Sequence, residues 1–71
     1  MRIYSVKYGI SINADSYDIY VSSNRIFATN PIDREHKHRQ LLAEYEDEAY
    51  ARRIMLQLNE SFEAGEATFV F

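Results

Sequence analysis

His36 and His38 stand two residues apart in a run that also holds Asp33 and Glu35, the side chains in this chain that come nearest to a metal-ligand spacing. In an extended segment the two imidazoles share one side, and either acid can add an oxygen. A metal site needs three or four ligands held in fixed geometry by a second layer of hydrogen bonds. A polar loop supplies little of that, so no metal and no cofactor is expected. The same run, NPIDREHKHR, carries the densest basic cluster, Arg34, Lys37 and Arg39, with Tyr20 and Phe27 as nearby candidates for stacking on bases. Basic groups interleaved with aromatic rings grip single-stranded nucleic acid. Nucleic-acid binders tend to be basic overall, however, and this chain has a net charge of −3.

Catalytic ingredients are sparse. There is no cysteine, glycine occurs only at Gly9 and Gly65, and no serine has the context of a nucleophile elbow. Glu46-Asp47-Glu48 is a carboxylate cluster, but helix N-termini collect acids because the helix dipole is positive there. These residues point away from an enzyme.

The element that positions most of the remainder is the stretch from Asp47 to Gly65. At about 100° per residue, Ala51, Ile54, Met55, Leu58 and Phe62 fall on one stripe, the pattern of a helix laid on a sheet. Asp47 can cap the free N–H groups at its start, and Gly65 can take the left-handed conformation that ends a helix. Arg52, Leu56, Glu60 and Glu63 follow the solvent side. Leu56 is the apolar misfit there, a lone surface leucine or a contact for a partner.

Upstream, β-forming residues place a first strand within Arg2 to Tyr8, resuming after Gly9 as Ile10-Ser11-Ile12, and Asn13 to Ser16 reads as a turn. Tyr17 to Val21 alternates as a half-buried strand, Ser22-Ser23-Asn24 turns the chain, and Arg25 to Thr29 returns as its hairpin partner. Pro31 cannot donate to a ladder, which breaks the sheet there. Gln40 to Tyr45 alternates Leu41, Ala43 and Tyr45 against Leu42 and Glu44 as a strand that runs into the helix cap. The rival reading extends the helix back to Ile32. Glu66 to Phe71 alternates as a short closing strand.

The expected fold is therefore α+β in a single domain, order ββββαβ: an antiparallel sheet of four to five strands with one helix packed on one face. The helix stripe is expected to stack on Ile19, Ile26, Leu41 and Phe69. Six tyrosines and four phenylalanines are more than one helix covers. Alternation sends some of Tyr4, Tyr8, Tyr20, Phe27 and Leu42 to the far face, and an open aromatic face calls for a partner, often a second copy.

The composition agrees with a folded, interacting protein. Seventy-one residues with 46% hydrophobic content form one small core. No apolar run approaches the roughly 18 residues that span a bilayer, and MRIYSVKYGI lacks the features of a signal peptide, so no membrane contact and a cytoplasmic location are expected. Residues 1 to 43 hold six basic and four acidic side chains, residues 44 to 71 two and seven, an uneven distribution that hints at a polarised binding surface.

The run Leu41-Leu42-Ala43-Glu44-Tyr45-Glu46-Asp47-Glu48, followed by Ala51 and Ile54 and closed by Phe69-Val70-Phe71, resembles small uncharacterised proteins of Gram-positive bacteria and their phages, over about residues 17 to 71. The resemblance implies a strand, a cap, a helix and a strand in a phage or mobile-element setting, and it transfers no functional residue. Together these readings give a non-enzymatic protein that binds a macromolecular partner, as a homodimer, through Tyr20, Phe27, Leu42, Leu56 and the Arg34, Lys37 and Arg39 loop. An inhibitor of a host protein or defence nuclease is one form of it. The alternative is a nucleic-acid-binding regulator that uses Arg25, Arg34, Lys37 and Arg39.

Overall fold

The N-terminal β-forming run folds on itself. In the structure, a computed structural model that describes residues 1–32 and 38–71, β1 (Arg2–Ser5) and β2 (Ile10–Asn13) pair antiparallel with Ile3 opposite Ile12. Gly9, at φ +65°, makes the left-handed step that returns the chain. Asn13 then accepts the Asp15 N–H on its side-chain oxygen, starting a 3-10 turn at Ala14–Ser16, and the Ala14 N–H donates to the Met1 carbonyl. The expected turn is thus a short helical one, tied back to the start of β1.

The second hairpin follows the alternation closely. β3 (Asp18–Ser22) pairs with β4 (Arg25–Thr29), Ile19 opposite Ala28 and Tyr20 opposite Phe27, across a turn in which Ser23 takes a positive φ of 57°. β5 (Gln40–Glu44) adds antiparallel to β4, which favours the strand reading of this segment over a helix reaching back to Ile32. After the helix, β6 (Thr68–Val70) lies parallel to β1, with Phe69 beside Ile3.

These pairings correct the expected single sheet. The α+β class holds, but six strands form two three-stranded sheets, β2-β1-β6 and β3-β4-β5, in the order βββββαβ. The 3-10 turn redirects the chain after β2, so the first hairpin starts a sheet of its own and takes β6 as its third strand.

A bulge sets how the two sheets meet. Ile26 stands opposite Ala43 but Phe27 opposite Leu41, so Leu42 has no partner in the β4 ladder. Alternation slips by one, and Leu42 and Ala43 are both buried, at 1% and 7% exposure. Leu42 therefore belongs to the core and not to an outward face, and Leu41, expected under the helix, is not part of that core. The Leu42 carbonyl instead accepts a hydrogen bond from Ser5 Oγ, a buried contact from β1 of the other sheet.

The helix begins and ends where its residues specify. α1 (Glu48–Glu63) is capped by Asp47, whose carboxylate accepts the Tyr50 N–H at 2.8 Å. It closes with Gly65 at φ +74°, the Gly65 N–H donating to Phe62 O and the Glu66 N–H to Ser61 O, the paired bonds of a Schellman motif. Ala51 and Leu58 are buried, Ile54 and Met55 half-buried, and they pack with Ile3, Ile12, Ile26, Ala28, Leu42 and Ala43 in one core. Ile19 and Phe69 pack against it as expected. Phe62 departs from the expected stripe: it is 50% exposed, because the helix docks on β3 and β4 and its last turn has less beneath it. Among the described residues no helix is long and apolar enough to cross a membrane.

The Ser5 bond and the Thr29 hydroxyl make opposite predictions. Ser5→Ala leaves a buried carbonyl unpaired and is expected to cost about 1–3 kcal/mol, read as a lower urea midpoint at unchanged slope. Thr29 is 1% exposed and its Oγ1 has no hydrogen-bond partner among the described residues. Thr29→Val is expected to leave the midpoint unchanged or raise it.

Candidate binding surfaces

On the side of β3-β4-β5 away from the helix, register brings Tyr20, Phe27 and Leu41 into one cross-strand row. Phe27 is 6% exposed. Its ring stacks with Tyr20 at 5.7 Å between centroids, and the Arg39 guanidinium lies over it at 4.1 Å. Next to this row Arg25 stands opposite Glu44, and its Nε donates to Glu44 Oε2 at 2.5 Å. The face expected to present open aromatics is thus largely closed by the chain's own side chains. Phe27 is not offered to a partner, Tyr20 is half-buried, and Leu42 points into the core. Leu56 is 57% exposed, as a solvent-side position implies. Arg34 and Lys37, with Asp33, Glu35 and His36, lie outside the described residues. Among the described residues no group of three or more His, Cys, Asp or Glu could hold a metal ion.

Among the described residues, three concavities differ in charge. The first, of about 400 Å³, lies between α1, the 3-10 turn and β3. Ile3, Ile19, Met55 and Leu58 give it an apolar lining, Ala14 and Tyr17 form one wall, and Phe62 stands at the rim. Among the described residues Asp18 is the one charged side chain that lines it, together with Met1, whose α-ammonium faces Asp15 at 3.9 Å. Periodicity hides this site, since it assigns Phe62 to the core. The available signal was its position at the end of the stripe, one turn past Leu58 and just before the Gly65 stop.

The second surrounds the helix start, where Glu44, Glu46 and Asp47 meet Tyr45 and Tyr50, whose rings lie 5.0 Å apart. Its acids are mostly committed: Asp47 caps α1, and Glu44 pairs with Arg25. Glu48, one residue beyond, pairs with Arg52 at 2.8 Å along the helix. Asn24, expected only as a turn former, clamps this junction. Its carbonyl accepts the Tyr45 N–H at 2.9 Å, and its Nδ2 donates to the Tyr45 carbonyl at 2.7 Å. The third, of about 310 Å³, opens beside the β3-β4 turn and is lined by Ser22, Ser23, Asn24, Arg25, Phe27 and Arg39.

Burial, and then the neighbouring Tyr50, hold the Tyr45 phenol above its ordinary value of about 10. A raised folded value means the folded state keeps the proton longer than the unfolded one. The resulting stabilisation is complete below pH about 10 and is lost as pH rises through the folded value. Tyr45→Phe is expected to flatten the fall in urea midpoint between pH about 9 and 11 relative to the parent. Equal slopes in the two proteins would contradict this.

Compared with known proteins, the chain matches no family model, no curated protein and no solved structure.

Proposed function

We propose that this chain is a non-enzymatic protein that acts by binding a protein partner. The binding site is the groove between α1 and β3, and the partner presents to it an apolar side chain with cationic neighbours. The observation that carries this reading is Phe62, half-exposed beside a groove in which Ile3, Ile19, Met55 and Leu58 stand with Asp18 and Asn59. Large aromatics beside pockets are where binding energy concentrates. Covering the exposed half of a phenylalanine removes about 100 Å² from water, worth about 2.5 kcal/mol.

The rim chooses the partner's charge. Asp18 lines the groove and Glu63 lies one turn along the helix from Asn59, whereas Asp15 in the adjoining turn is offset by the Met1 α-ammonium 3.9 Å away. With no lysine or arginine among the described lining residues, and with the Met1 α-ammonium turned to Asp15, Asp18 and Glu63 favour a flanking cation. The resemblance to phage and bacterial proteins implies an inhibitor of a host protein or defence nuclease as one form of this activity. A homodimer, expected from open aromatics on the far face, loses that support because Phe27 and Leu42 are buried. Of the aromatics expected to face outward, Tyr4 is exposed, on β1 of the other sheet.

Phe62→Glu is expected to reduce capture of the partner from host lysate at least tenfold, with the urea midpoint kept, whereas Leu56→Glu on the solvent side leaves capture intact. Equal capture by the parent and Phe62→Glu would remove the groove as the binding site. Light scattering at high concentration distinguishes a second copy from a foreign partner.

A further inference from the structure

The concavity at the β3-β4 turn has a lining unlike the rest of the surface. Two guanidinium groups, Arg25 and Arg39, and two exposed hydroxyl residues, Ser22 and Ser23, line it; among the described residues no carboxylate lines it, and Glu44 pairs with Arg25 from beside it. The chain as a whole is acidic, and the other two concavities are lined by acids without a lysine or arginine. A cationic pocket here is therefore a local arrangement and not a reflection of overall charge.

Arg39 is oriented before any ligand arrives. Its guanidinium rests over Phe27 at 4.1 Å, and Phe27 is itself fixed by burial and by stacking with Tyr20. A guanidinium held over an aromatic ring has a restricted set of positions for its N–H groups, and among the described residues Arg39 has no ion-pair partner. Arg25 gives its Nε to Glu44, which uses one of its five N–H donors and steers the terminal nitrogens. Asn24 is committed to Tyr45, so the turn that carries the two serines is anchored at its base.

We propose that this pocket binds a phosphate group, with Arg39 as the fixed two-pronged donor, Arg25 as the second cation, and the Ser22 and Ser23 hydroxyls as further donors. A forked guanidinium matches phosphate oxygens two at a time, which a lysine ammonium does not. The phosphate can belong to a small molecule or to the backbone of a single-stranded nucleic acid. Because Phe27 is buried beneath Arg39, no base stacks there, and binding reads the phosphate without regard to sequence.

The test is a nitrogen-proton NMR titration of the full chain at low salt with inorganic phosphate and, separately, with an eight-residue oligothymidylate, against chloride at matched ionic strength. Saturable shifts are expected at the amides of Ser22 to Arg25 and at the Arg39 side chain. R39K, which keeps the charge and loses the stacked fork, is expected to weaken binding at least fivefold. R25Q, which leaves Glu44 uncompensated beside the pocket, is expected to weaken it at least tenfold. If a backbone is the source, the oligonucleotide binds more tightly than phosphate, and log affinity falls with log salt at a slope of about −1.4 for two contacts. If a small molecule is the source, phosphate binds at least as tightly as the oligonucleotide. An R39K protein that binds as well as the parent would reduce the effect to unspecific charge and overturn the proposal. So would the absence of shifts at these residues.

Discussion

Two three-stranded sheets that share no ladder have to be joined through side chains, and the joint is the hydrogen bond from Ser5 to the Leu42 carbonyl. A bulge in β5 leaves Leu42 without a partner on β4, and a buried carbonyl left unpaired would be costly. Ser5, itself almost fully buried, supplies the missing donor from the opposite sheet. The same bulge turns the Leu42 side chain inward, where it meets Ile3, Ile12 and Ile26. One local irregularity thus both closes the core and ties the halves of the molecule together.

The position of the helix follows from that joint. α1 packs on β3 and β4, burying Ala51 and Leu58, while the 3-10 turn holds the start of β1 beside it through the Ala14–Met1 bond. The last turn of the helix extends past the fully packed region, which leaves a groove with Phe62 on its edge. The apolar groove is therefore a consequence of how a sixteen-residue helix sits on short strands.

Charge is divided over the surface by internal commitments. Around the helix start Asp47 caps the helix, Glu44 pairs with Arg25 and Glu48 with Arg52, so these acids have structural roles. The Arg25–Glu44 pair marks the border between the acidic concavity at the helix start and the cationic one at the β3-β4 turn, since each residue lines one of them. The uneven charge along the sequence thus becomes a surface whose regions differ in sign.

The sequence alone determined the elements whose signals are local. Asp47 and Gly65 bound the helix because capping and left-handed termination involve only a few neighbouring residues, and Tyr17 to Thr29 specified its hairpin through alternation and a short turn. The tertiary structure decided what depends on distant partners. The parallel pairing of β1 with β6 joins residues at opposite ends of the chain, and no local pattern encodes it. The bulge at Leu42, invisible to a strict period of two, reversed the side on which that residue lies. The exposure of Phe62 and the covering of Phe27 by Arg39 likewise depended on where the neighbouring elements end. Periodicity ranks the faces of an element, whereas the three-dimensional packing settles how far each face is covered.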